Sequence, residues 1–205
     1  MHVHEATAPG EDSAHASRFA PSVHNAHARV LHASIEQVRP WIAACWTGTD
    51  RDPFPRDFIQ SWRENPPGED PLALVPNITR LGHGVFSFRF VSWDGEHFRL
   101  RVESPGYRGW HGFDLRAVGD ACEVTHTLEF ELSGRARVVW PVFFTPIHDW
   151  CVEAILDRIE VAARTGIMPE RTLRPLPWAA ALPLATFRLL LSRSGHRRRR
   201  AESVS

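Results

Sequence analysis

The chain has 205 residues, 24 basic and 24 acidic side chains, 43% hydrophobic and 23% charged content, ordinary values for a globular protein able to bury a core without staples. Charge is unevenly placed: Arg171 to Ser205 holds eight Arg and one Glu, so that end carries +7 and residues 1 to 170 carry −7. An acidic body argues against a nucleic-acid-binding surface there. The cysteines, Cys45, Cys122 and Cys151, have no CxxC pair or zinc-type spacing, and the first 28 residues contain no apolar run of signal-peptide type. Free thiols in a reducing, cytoplasmic setting are the expectation.

Residues 1–26 are rich in Ala, His, Ser, Pro and Glu without periodicity and read as a disordered segment. Its histidines and His27 match no defined metal spacing. A short strand follows at Ala28–Ala33. Ser34 and Gln37 then form a capping box for a helix from Ile35 to about Trp46, with Ile35, Val38, Ile42 and Cys45 on one face. The spacing of Phe58, Ile59 and Trp62 predicts a second short helix over 55–64, closed by Asn65-Pro66-Pro67-Gly68.

From Leu72 to Leu132 the pattern changes to period two, with strands expected at about 72–82, 84–92, 96–104, 107–118 and 121–132. Gly119-Asp120 makes a two-residue hairpin. At Asp94-Gly95, a three-residue loop with Gly95 left-handed sets Phe90 opposite Phe98 and Phe88 opposite Leu100. That register yields one clean apolar face, which a two-residue loop does not. Thr145-Pro146 reads as N-cap and first position of a long helix to about Arg164, with Ile147, Trp150, Cys151, Ala154, Ile155, Ile159 and Ala162 as its apolar stripe and Gly166 as its stop.

This order predicts an α+β protein of helix-grip type: a curved antiparallel sheet around a long C-terminal helix, with two short helices after the first strand. Three stretches resemble the START-related (SRPBCC) superfamily in its polyketide cyclase/dehydrase-like branch. They are Ala28 to Val38, Gly119-Asp120-Ala121-Cys122-Glu123-Val124-Thr125-His126, and Trp140-Pro141 with His148-Asp149 and Asp157-Arg158. The resemblance covers about residues 27–166. It implies a cavity between the sheet and the last helix, often occupied by an apolar ligand; the sequence by itself shows only an apolar face.

The 107–118/121–132 hairpin carries the candidate chemistry. With Val118 opposite Ala121, Phe113 faces His126 and His111 faces Leu128, so the two imidazoles are diagonal neighbours within about 7 Å on the apolar side. Glu123, Thr125, Thr127, Glu129 and Glu131 take the wet side. Two such imidazoles serve equally as acid/base groups, as ligand contacts or as hydrogen-bonded core residues. No metal or cofactor is expected, since two histidines without a thiolate or inward carboxylate make a poor ligand set. Arg89, Arg99 and Arg101 alternate with the apolar positions and belong to a solvated face with Glu103. Asp149 is explained by a helix N-terminus.

Residues 167–205 form a separate tail. The apolar run 176–191 is interrupted by Pro183 and Arg188 and is too short to span a bilayer. With Arg193 and Arg197–Arg200 behind it, the stretch 176–200 has the composition of a peripheral contact with the inner membrane surface; docking of Trp178, Leu182 and Phe187 on the domain, or plain disorder, is the competing reading. Three functions remain open. The first is a binder or carrier of a small, mainly apolar, lipid- or polyketide-like molecule, lined by Phe86, Phe88, Phe90, Phe98, Leu100, Phe113, Leu128 and Trp150 with His111 and His126 as polar handles. The second is a cyclase/dehydratase-type enzyme using one of those histidines as general acid/base, and the third a co-chaperone-like or membrane-surface interaction module. Oligomeric state is not legible.

Overall fold

The computed structural model describes residues 22–55, 58–170, 174–178 and 181. Seven strands form one antiparallel sheet: β1 (Ser22–Leu31), β2 (Ser61–Glu64), β3 (Arg80–His83), β4 (Phe86–Trp93), β5 (His97–Val102), β6 (Tyr107–Val118) and β7 (Ala121–Leu132). Their order across the sheet is β1-β7-β6-β5-β4-β3-β2. Helix α1 (Ile35–Ala43) follows β1. After β7 come α2 (Ala136–Val139), one π-type turn (Trp140–Phe144) and the long α3 (Thr145–Thr165). This is the helix-grip architecture, its core lying between the concave sheet face and α1 and α3.

The hairpin β6–β7 has the expected register, Val118 opposite Ala121, Phe113 opposite His126 and His111 opposite Leu128. Strict alternation buries Cys122, Val124, His126, Leu128, Phe130 and Leu132 on β7, while Glu129 and Glu131 are exposed. The capping box of α1 is present, with Ser34 N donating to Gln37 Oε1 at 2.8 Å. Every residue expected in the apolar stripe of α3 is buried, and Gly166 ends the helix at φ 75°. The three cysteines are buried and free.

Several elements differ from the sequence reading. The segment 55–64 is not a second helix: Phe58 N and Ile59 N bond back to Pro55 O in a single turn, and Ser61–Glu64 becomes edge strand β2 on β3. Helical spacing of Phe58, Ile59 and Trp62 is satisfied by that turn followed by a strand, and pairing with β3 overrides the local preference. β1 starts at Ser22 rather than Ala28, because ten pairs with β7 hold it. β3 is confined to Arg80–His83, residues 72–79 being turns around Pro76 and the left-handed Asn77 (φ 60°). In β4–β5, Phe90 lies opposite Leu100 and Phe88 opposite Val102, with a bulge between Phe90 and Ser92 and a longer loop through Gly95. The register is displaced by two residues, so each side chain keeps its face. Thr145 is not an N-cap, since α3 continues the preceding turn and Thr145 Oγ1 donates to Trp140 O.

A polar seam joins β1 to α3. Asn25, His27 and Arg29 project from one face of β1; Asp149, Glu153 and Asp157 project from one line of α3. Asn25 and His27 contact Asp149, His27 and Arg29 contact Glu153, and Arg29 reaches Asp157 at 2.6 Å. Two residues of strand advance about 6.7 Å and four of helix about 6 Å, so the two periodicities stay in step over three rungs. Asp149 therefore serves as a partner for β1, not as a helix-end charge. Arg174, beyond α3, adds bonds to Asp157 and Glu153, and Pro175 O accepts from Trp150 Nε1. The chain after α3 thus returns along the helix, whereas Trp178 is 80% exposed. Leu182, Phe187 and the arginine run lie outside the described residues. Among the described residues no helix is long and apolar enough to cross a membrane.

On the convex face, Arg89 pairs with Glu103 and Arg99 with Asp114, and Arg101 covers Trp110. This matches the solvated face expected for those arginines.

Candidate functional site

Three elements deliver three imidazoles to one point. β6 places His111 and β7 places His126 on the concave face, their Nε2 atoms 3.0 Å apart and their rings edge to face at 4.6 Å. His111 is 4% exposed and His126 1%. From α3, His148 closes the group, its ring centre 5.1 Å from that of His126 and 6.2 Å from that of His111. Behind it stands the seam: His148 Nδ1 lies 3.5 Å and His27 Nε2 3.3 Å from Asp149 Oδ1.

Burial governs the protonation of this group. It pushes His111 and His126 well below the usual histidine range, and neighbouring imidazoles push the same way. His83, on β3, is held at about 3, first by burial and then by repulsion from His148. Burial also lowers His148, against the opposing pull of Asp149. His27 alone moves up, because its hydrogen bond to Asp149 outweighs desolvation. Although burial resists ionisation of Asp149, bonds from His148, His27 and Asn25 hold its carboxyl well below the ordinary range. At neutral pH the centre is therefore a set of neutral imidazoles backed by a carboxylate.

A cavity of about 420 Å³ adjoins the imidazoles, between the sheet and α3. Its walls are mainly rings and aliphatic chains: Trp46, Phe54, Phe86, Phe88, Phe113, Leu128, Phe130, Trp140, Phe144 and Ile155, with Cys151. The lining also includes the exposed Gln60, Gly84 and Val85, which form a mouth. Four buried polar atoms on lining residues have no hydrogen-bond partner: Trp46 Nε1, His111 Nδ1, His126 Nδ1 and His148 Nε2. Trp46 also has the left-handed φ of 61° that bulky residues avoid. Its ring stacks on Phe98 at 5.6 Å and meets His111 edge-on at 5.6 Å, contacts that hold the backbone in this conformation.

Of the residues expected to form the site, Phe86, Phe88, Phe113, Leu128, His111 and His126 do line the cavity. Phe90, Phe98 and Leu100 share the apolar face but belong to the packed core; Phe98 lies between Trp46 and Phe90. Trp150 is buried on another side of α3, against Phe58 at 4.9 Å. Sequence reasoning missed Trp46, His83 and the inward direction of His148. For His148 a signal existed: it lies three residues before Cys151 and one after Ile147, on the edge of the apolar stripe. The expectation of no metal rests on two ligand groups; the structure supplies three, with one ring nitrogen from each of His111, His126 and His148 mutually within 4.8 Å.

Comparison with known proteins finds the fold and nothing nearer. No family model and no curated protein matches the sequence. Among solved structures, norcoclaurine synthase from Thalictrum flavum aligns with a TM-score of 0.52 at 13% identity, over 80% of this chain and 99% of its own. The same enzyme in complex with dopamine and hydroxybenzaldehyde gives 0.50 at 15%, over 76% and 95%. Ara h 8.0201 gives 0.47 at 12%, over 71% and 99%. What this chain shares with norcoclaurine synthase is the helix-grip fold.

Proposed function

We propose that the chain binds one small, predominantly apolar molecule, of lipid- or polyketide-like character, as a carrier would. The ligand's body lies among the rings of the cavity and its hydrogen-bonding group turns to the imidazole end. The observation that carries this reading is the coincidence of an aromatic-walled 420 Å³ cavity with four buried, unpartnered polar atoms on its lining. Leaving such an atom unpaired costs about 1–3 kcal/mol, and a ligand with one or two polar atoms removes that cost while filling apolar space. The volume lies within the roughly 300–1,000 Å³ of small-molecule sites. A cyclase-type reaction by His111 or His126 draws less support, since a general base works best with a pKa near the working pH and burial drives both far below it.

Native mass spectrometry of freshly purified protein, together with titration of a fluorescent naphthalene-sulfonate probe, tests the proposal. Leu128→Trp, which puts a ring into the cavity, should weaken the probe at least about tenfold. It should change stability by less than the roughly 1–3 kcal/mol that overpacking a filled core costs. The double variant His111→Phe/His126→Phe should keep probe binding and lose preference for ligands with a polar end. Absence of both a co-purifying molecule and probe binding refutes the proposal, as would a full overpacking penalty in Leu128→Trp.

A further inference from the structure

We propose that His111, His126 and His148 form a binding site for one divalent cation of the zinc class, with a coordination position left open to the cavity. The geometry carries the inference. Imidazoles bound at about 2.1 Å in tetrahedral directions have ligating nitrogens roughly 3.4 Å apart and ring centres roughly 5 Å apart. Here the Nε2 atoms of His111 and His126 are 3.0 Å apart, the ring centres are separated by 4.6, 5.1 and 6.2 Å, and one ring nitrogen from each lies within 4.8 Å of the others. A hydrogen bond between neutral rings accounts for the His111–His126 contact alone; it does not account for a third imidazole converging on the same point with a buried, unpartnered Nε2.

The donor set and its surroundings suit such an ion. Three imidazoles without thiolate favour zinc and its neighbours over calcium or magnesium. Neutral rings present free lone pairs, and burial keeps these rings neutral. Asp149, 3.5 Å from His148 Nδ1 and itself bonded to Asn25 and His27, stands where a carboxylate orients a metal-bound histidine and supplies negative charge. The three elements that present the histidines, β6, β7 and α3, are packed core elements, so the ligands are held in place before an ion arrives. The fourth position faces the cavity and would accept water or an oxygen of its occupant; the inference rests on the ligand proposal for that occupant alone.

The test is titration of the chelator-treated full-length chain with Co²⁺, followed by the visible absorption of four-coordinate cobalt. One equivalent should bind with intense bands and be displaced by Zn²⁺. His111→Phe, His126→Phe and His148→Phe should each weaken binding by at least about 100-fold, the upper end of what losing a mere outer-sphere partner costs. His97→Gln, on the opposite sheet face, should change nothing. X-ray absorption of the Zn²⁺-loaded wild-type chain gives a readout free of any variant's folding: three imidazole nitrogens at about 2.0–2.1 Å are expected. Failure to bind stoichiometric Co²⁺ overturns the proposal, as does an oxygen-dominated, six-coordinate zinc. Binding that survives in the three variants also overturns it, placing the ion at His27 and Asp149 or at the N-terminal histidines. Probe binding by the metal-free chain is scored separately, so the cavity reading stands or falls on its own.

Discussion

Acidification from pH 7.5 to 5.5 should destabilise the metal-free protein by roughly 4 kcal/mol. The folded-state pKa values of His83, His111 and His126 lie below the unfolded value of about 6.5, His83 at about 3. Their contribution to stability is therefore present above pH 6.5 and lost as pH falls, because the unfolded chain gains protons that the folded chain refuses. Over this interval one histidine that stays neutral when folded contributes a loss of about one pKa unit's worth, and three give roughly 4 kcal/mol. His148 adds in the same sense, to a lesser degree because Asp149 opposes its burial. His27 acts oppositely: its pKa is raised, so its contribution grows as pH falls and disappears as pH rises past the raised value. Asp149, held low, keeps its contribution until well below pH 5. Against a typical total of about 5–15 kcal/mol, the loss is large. With a urea slope of about 2 kcal/mol per molar, the unfolding midpoint should fall by about 2 M, measured by circular dichroism in the presence of chelator. His126→Gln should flatten the dependence by about a third. A midpoint that does not move between pH 7.5 and 5.5 would mean that these imidazoles titrate normally in the folded chain, and the dry imidazole end would be refuted.

Other expectations concern the scaffold. Gly112→Ala should destabilise by more than about 3 kcal/mol or prevent folding, since its Cβ would lie 2.2 Å from the Phe98 carbonyl oxygen; a variant unfolding within 1 kcal/mol of wild type, measured in urea, would contradict that close approach. Arg29→Met should cost about 1–3 kcal/mol, between the values for exposed and buried pairs, because Arg29 is 22% exposed and bonded to Glu153 and Asp157. Arg80→Met, removing a 50% exposed partner of Glu103, should cost less than about 1 kcal/mol in the same assay, and equal effects would remove the special standing of the seam. Trp178→Ala should leave the thermal midpoint unchanged, as its side chain is 80% exposed.

Period-two alternation made most of the sheet legible. It gave the inward face of His111, Phe113, Leu115, Val124, His126, Leu128, Phe130 and Leu132, and so brought His111 and His126 together inside. Even the misjudged β4–β5 register kept Phe88 and Phe90 inward, because a displacement of two residues preserves parity. What alternation cannot supply is depth along the cavity. Phe90, Phe98 and Leu100 face inward like Phe86 and Phe88, yet only the latter two line the cavity, the others being taken up in the packed core. Trp46 itself was out of reach, since a tryptophan in left-handed backbone has no local sequence signal. β2 was hidden for the opposite reason: a local pattern existed and tertiary pairing overrode it.

The seam and the imidazole centre belong to one arrangement. Asp149 is the rung at which the β1–α3 ladder touches His148, so the ladder that clamps β1 to the helix also fixes the orientation of the third imidazole. A helix packed on a sheet by apolar contacts alone can rotate about its axis by small amounts; rungs at Asp149, Glu153 and Asp157 remove that freedom, because each must meet its own strand partner. Rotation of α3 would carry His148 away from its place beside His126. Polar pairs of this kind add little net stability once desolvation is counted, and their consequence here is positional. The arrangement thus explains why a partly buried row of charges runs beside a core that would pack without it: it sets the distance between imidazoles delivered by a sheet and by a helix.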